Sequence, residues 1–107
     1  MRQLTPRELK AWLDDPGRAS PLIVDVREPW EVQLCVLPGT LHVPMGSVPS
    51  RQQELDPDAE VVLVCHHGMR SMQVAAFLDR NGFCNTYNLS GGIDAWARDV
   101  DPSMPTY

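Results

Sequence analysis

Lysine is nearly absent from these 107 residues. Eight arginines and Lys10 supply all nine basic side chains, against fourteen acidic ones, for a net charge of −5. The basic residues are scattered, with no stripe and no tail. That argues against nucleic acid as a partner, because phosphate recognition needs a clustered cationic face. No apolar run approaches the roughly eighteen residues of a membrane span, so no membrane partner is expected. The opening MRQLTPRELK is polar and lacks the apolar stretch of a signal peptide. Cysteine is sparse too. Cys35, Cys65 and Cys84 are odd in number and far apart, which fits neither a disulfide framework nor a structural zinc site. A reducing, cytoplasmic location is the expectation, with no cofactor and no metal. The length suits one domain over residues 1–107, with the DPSMPTY tail loose from about residue 101.

What is present alternates between two periodicities. Thr5-Pro6-Arg7-Glu8 is a helix start: Thr5 caps, Pro6 suits the first turn, and Glu8 stands three past the cap. Leu9, Trp12 and Leu13 then share a face, and Asp14 precedes the DPG that stops the helix. Leu22–Val26 and Thr40–Val43 read as short strands, Glu28–Cys35 and Ser47–Glu54 as short helices. Glu60–Val64 is the clearest strand. Its VVLV is apolar at every position, the habit of a central parallel strand buried on both faces. Ser71–Arg80 reads as a helix ended by Asn81-Gly82, Thr86–Leu89 as a strand, and Ile93–Val100 as a helix after the turn Ser90-Gly91-Gly92. Strands and helices in alternation predict an α/β domain with a central, mostly parallel sheet flanked by helices.

Ligand sites in such sheets lie at the carboxyl ends of strands, and Cys65 stands there, directly after Val64. Residues His66 to Arg70 must turn the chain into the next helix. Gly68 permits dihedrals that a side chain forbids. Such a turn aims successive backbone N–H groups inward, and the first N–H groups of the following helix join them. An anion at the centre is stabilised, and the nearest candidate is the Cys65 thiolate. The plainer possibility is a buried, inert cysteine ending a strand, but such a residue needs neither Gly68 nor Arg70 beside it.

Four stretches, in order, carry a resemblance. CHHGMRS (Cys65–Ser71) resembles the active-site loop of single-domain rhodanese-like sulfurtransferases. DVREPWE (Asp25–Glu31) is similar to that family's Asp-x-Arg segment with a following acidic residue. PGTLHVP (Pro38–Pro44) and LSGGIDAW (Leu89–Trp96) are similar to its Pro-Gly segment and its Gly-Gly-x-x-x-Trp signature. The resemblance implies a three-layer domain and a sulfurtransferase of the thiosulfate:cyanide type. Cys65 would carry the transferred sulfur as a persulfide. The donor would be thiosulfate or a persulfide, and the acceptor cyanide, a small thiol or a protein thiol. Four residues separate Cys65 from Arg70, whereas tyrosine and dual-specificity phosphatases carry five. That disfavours phosphatase or arsenate reductase chemistry. A non-catalytic binding or regulatory module is the other alternative.

Around Cys65, the residues His66, His67, Gly68, Met69, Arg70 and Ser71 form the candidate loop. Arg70 either orients a sulfonate or closes the loop on its carbonyls. The two histidines read as solvent-facing loop residues, and a zinc site from Cys65, His66 and His67 is disfavoured because adjacent residues do not readily converge on one ion. Asp25, Arg27 and Glu31 are expected to brace the loop, with Arg27 and Glu31 paired across one helical turn. Ser71 is expected to start its helix, Trp12, Trp30 and Trp96 to pack, and Cys35 and Cys84 to be inert.

Overall fold

The computed structural model describes residues 1–107. Five parallel strands form one sheet in the order β1-β5-β4-β2-β3. They are β1 (Arg2–Leu4), β2 (Leu22–Asp25), β3 (Leu41–His42), β4 (Val61–Val64) and β5 (Thr86–Leu89). The helices are α1 (Pro6–Asp14), α2 (Pro29–Leu34), α3 (Val48–Arg51), α4 (Met69–Arg80) and α5 (Gly92–Asp99). The expected α/β class holds, and the sheet is wholly parallel.

The central strand explains the layers. Along β4, Val61 and Leu63 belong to one apolar cluster, with Val74, Ala75 and Leu78 of α4 and Val48 of α3. Val62 and Val64 belong to the other, with Leu9 and Trp12 of α1 and Ile93 and Trp96 of α5. Successive side chains of a strand point to opposite faces, so a strand covered on both sides must be apolar throughout. Cys65 continues the alternation and falls in the α4 cluster, at 1% exposure. Helix α1 begins as expected: the Glu8 N–H donates to Thr5 Oγ1 and the Thr5 N–H to Glu8 Oε1.

Four expectations need correction. Strand β1 was not foreseen; three residues with one buried side chain give no periodicity, and the strand exists through pairing with β5. Ser47–Glu54 is not one helix. A 3-10 turn at Met45–Ser47, the single turn of α3 and a second 3-10 turn at Gln52–Glu54 replace it, because Pro49 has no N–H for a continuous ladder. Helix α4 starts at Met69, two residues before Ser71, since Gly68 at φ +95° already turns the chain. The tail is not loose: Tyr107 packs on His66 and hydrogen bonds to Arg27 and Glu31. No helix is long and apolar enough to cross a membrane.

Candidate active site

Cys65 sits where β4 stops and the chain folds back into α4. Its Sγ meets three polar groups: the Gly68 N–H (3.1 Å), the Ser71 N–H (3.3 Å) and Ser71 Oγ (3.2 Å). Two backbone donors aimed at one sulfur are what a charge on that sulfur would require. Ser71 lies inside the helix and also contacts the sulfur, a closer role than starting the helix. Gly68 cannot be replaced without cost. Its φ of +95° disfavours any side chain, and an added Cβ would stand 3.1 Å from Gly91 N and 3.3 Å from Leu89 O.

The loop's carbonyls are held from the opposite side. The Ile93 N–H donates to Cys65 O (2.9 Å) and the Asp94 N–H to His66 O (3.1 Å). These free donors of the first turn of α5 reach the loop because Gly92 has no side chain. A Cβ there would lie 2.4 Å from His66 O and 2.5 Å from Cys65 O. The Gly-Gly turn is therefore a clamp on the loop.

Arg70 does not close the loop on its carbonyls, one of the two roles expected of it. Its NH1 and NH2 donate to Glu31 Oε1 (2.6 Å) and Oε2 (2.8 Å) in a fork-to-fork pair. The Glu31 carboxylate accepts two further bonds, from the Glu28 N–H (3.1 Å) and the Tyr107 hydroxyl (2.8 Å). The Arg70 hydrogen bond is the main reason its pKa falls to about 2, with burial opposing. Burial, and then Glu31, push the Tyr107 hydroxyl up to about 12 despite Arg27.

Arg27 and Glu31 are not the pair expected across a helical turn. Arg27, fully buried, gives Nε and NH2 to the Asp25 carboxylate, NH2 to Cys35 O (2.7 Å), and NH1 to Tyr107 Oη (2.9 Å) and the Glu31 carbonyl (3.3 Å). Burial opposes its charge most strongly, yet Asp25 and Tyr107 together raise its pKa. Asp25, Arg27, Glu31, Arg70 and Tyr107 thus form one network bracing the loop from the side of α2.

Of the histidines, only His67 is solvent-facing. His66 is sandwiched, its ring 3.8 Å from that of Tyr107 and 3.9 Å from that of His67. Burial first, and then His67, lower its pKa. His66 Nε2 is buried without a partner. His66, His67 and Asp94 bring donor atoms within 4.8 Å of one another. The two rings are stacked with their planes 28° apart, and His67 Nε2 lies 3.8 Å from Asp94 Oδ2. Met69 is 64% exposed at the rim. Cys35 lies 3.9 Å from Arg27 NH1 and Cys84 is exposed; all three cysteines are free.

Open grooves of about 270 and 460 Å³ lie elsewhere, beside Val74 and Phe77 and beside Leu55 and Phe83. Neither includes a residue of the Cys65–Ser71 loop. The cleft that touches His66, Cys35 and Tyr107 is too narrow for a water molecule.

Sequence reasoning missed three residues here. Tyr107 was hidden in a polar tail. Gly92 was noted in a turn without its clamp. Asn88, in the middle of β5 and 3% exposed, gave a readable signal: a buried polar residue in a covered strand requires a partner.

Residues 5–99 match the Rhodanese-like domain family. A putative sulfurtransferase of Bacillus subtilis, YtwF, is 42% identical over 80 residues, covering 75% of this chain and 77% of the relative. Rhodanese-like/PpiC domain-containing protein 12 of Arabidopsis thaliana, a chloroplastic protein, is 37% identical over 112 residues. That match covers this whole chain, which spans 38% of the relative's length. Among solved structures, a rhodanese-like domain protein from Staphylococcus aureus superposes with a TM-score of 0.83 at 31% identity, over 90% of this chain and 91% of that one. A buried cysteine ringed by N–H donors at a strand end, a Gly-Gly clamp behind it and these likenesses agree, and the chain belongs to the rhodanese-like domain family.

Proposed function

We propose that residues 1–107 act as one sulfurtransferase unit in which Cys65 is the nucleophile and carries sulfur as a persulfide. The observation that carries this reading is the pair of backbone N–H groups on Sγ. The family likeness, with relatives named sulfurtransferases, supports sulfur transfer over the other chemistries of a buried thiolate.

In the first half-reaction the Cys65 thiolate attacks the terminal sulfur of a sulfane donor. A new S–S bond forms, the donor's S–S bond breaks, and its electron pair leaves on sulfite or on a thiolate. In the second, an acceptor thiolate or cyanide attacks the outer sulfur, and the pair returns to Cys65. One transfer becomes two substitutions at sulfur. Oxidation states balance between donor and acceptor, so neither half needs a redox cofactor. The loop has no free general base beside the sulfur, and attack by a thiolate needs none.

Arg70 is taken up by Glu31, which disfavours both a thiosulfate-specialised site and a phosphatase. A persulfide donor is preferred on these grounds, with a protein thiol as acceptor. Three free cysteines suit a reducing compartment such as the cytoplasm.

Intact-mass measurement after exposure to thiosulfate, and separately to a small-molecule persulfide, tests the reading. The expected result is a gain of one sulfur atom, lost in Cys65→Ser and discharged by cyanide. Absence of the gain with both donors would leave a binding module without turnover as the better account.

A further inference from the structure

Asn88 projects from β5 into the ring around Cys65, and its partners fix every proton in the chain of bonds. Its Nδ2 donates to Gly68 O (3.2 Å) and to Gln3 Oε1 (3.0 Å), and its Oδ1 accepts from Ser71 Oγ (2.5 Å). The Gly68 carbonyl can only accept, so the amide nitrogen must face it and the amide oxygen must face Ser71. That oxygen can also only accept. The single Ser71 hydroxyl proton therefore points at Asn88, and Ser71 Oγ presents a lone pair to Cys65 Sγ at 3.2 Å. This suits a protonated thiol, whose S–H donates to Ser71. It opposes a thiolate, which would meet an oxygen lone pair.

We propose that Asn88 is a positioning residue that competes with the Cys65 sulfur for the Ser71 hydroxyl proton, so that this hydroxyl turns between two acceptors as the sulfur changes charge. In the resting thiol the proton lies on Asn88. In the thiolate it turns to Sγ and becomes a third donor beside the N–H groups of Gly68 and Ser71. In a persulfide the charge moves to the outer sulfur, Sγ becomes a neutral bridging atom, and the proton returns to Asn88. The device thus favours discharge of the thiolate by persulfide formation and limits the stability of the empty anion. Its strand neighbours Tyr87 and Leu89 pack in the apolar cluster on the other face, so alternation along β5 turns Asn88 toward the loop.

This inference rests on Cys65 being the sulfur-carrying residue, but its test needs no sulfur donor. In a Cys35→Ser/Cys84→Ser background, the thiolate is read by its ultraviolet absorbance against Cys65→Ser, and by iodoacetamide alkylation at one neutral pH. Arg70, the charge coupled to the Cys65 sulfur, is untouched throughout. Asn88→Leu removes the competing acceptor and should raise thiolate absorbance and alkylation rate. Asn88→Asp holds the proton more strongly and should lower both by about tenfold, and by clearly less in Ser71→Ala, where only the repulsion of the added charge acts. In Ser71→Ala, adding Asn88→Leu should change nothing further. A merely structural Asn88 would move both substitutions in one direction, and that result overturns the proposal. So does an Asn88→Leu effect that persists without the Ser71 hydroxyl. If Asn88→Leu does not fold, an Asn88→Asp variant with unchanged thiolate is sufficient to overturn it. A failed mass gain with these outcomes intact would remove the sulfur-transfer reading and leave the relay standing.

Discussion

Glu31 accepts four hydrogen bonds on one carboxylate, and Arg27 directs its whole guanidinium inward. These two residues carry the site's pH and stability behaviour. The Glu31 carboxyl titrates near 2 in the folded chain and near about 4.3 when unfolded. A depressed folded pKa adds stability that is complete above the unfolded value and is lost as pH falls through the folded one. Between pH about 4.5 and 2, the wild type should therefore lose up to about 3 kcal/mol from this group. Thermal unfolding across that range should show a shallower decline in Glu31→Gln, which has nothing to protonate; equal slopes would contradict the assignment. Arg27 presents the complementary case. With side-chain exposures of 0% and 1%, Arg27 and Asp25 form an ion pair that water does not screen. Asp25→Ala leaves an uncompensated buried cation, and urea denaturation should show a loss of about 3–5 kcal/mol. Asp25→Asn, which keeps an acceptor, should lose less.

At the scale of elements, the site is a meeting of two strand ends and two helix starts. Helix α4 supplies the donors on the sulfur, and α5 holds the carbonyls of the same loop. Gly92→Ala tests the second of these. Its Cβ would fall within 2.5 Å of three backbone atoms of the loop, which cannot yield as a flexible side chain would. Alkylation of Cys65 should slow at least about tenfold while far-ultraviolet circular dichroism stays native, because the clash moves the loop and leaves the sheet. The same geometry shows what a sequence discloses. β4 was legible because four apolar residues in a row have one simple explanation, and Gly68 because a tight turn after a strand needs it. The partner of Arg70 was not legible because it lies 39 residues away, whereas the visible local alternative, Arg27 with Glu31, matched a helical spacing. Tyr107 reaches residues 76 and 80 positions back, and no pattern within a short tail announces such a contact. Short-range spacing reports elements; long-range pairing of charges becomes visible only once the sheet order brings their ends together.

For the whole molecule, charge sets what approaches the sulfur. The chain carries −5 overall, and Arg70, the cation coupled to Cys65, is neutralised by Glu31. A dianion such as thiosulfate therefore meets net repulsion at long range and no unpaired arginine from the loop at short range. Its KM should lie at or above about 1 mM, the upper end of the usual range, with a neutral or singly charged persulfide used more efficiently. The Debye length shortens with salt, to about 10 Å at 0.1 M, so added chloride should lower the thiosulfate KM by screening the overall repulsion. The two members of the ion pair should respond in opposite directions. Glu31→Gln releases Arg70 and should lower KM several-fold, whereas Arg70→Gln leaves the Glu31 carboxylate uncompensated near the loop and should raise it. Steady-state kinetics with varied thiosulfate, at two ionic strengths and on all three proteins, reads KM apart from kcat. A micromolar wild-type KM, or a KM raised equally by both substitutions, would mean that the pair serves the loop's shape alone and that the field of the molecule does not choose the donor.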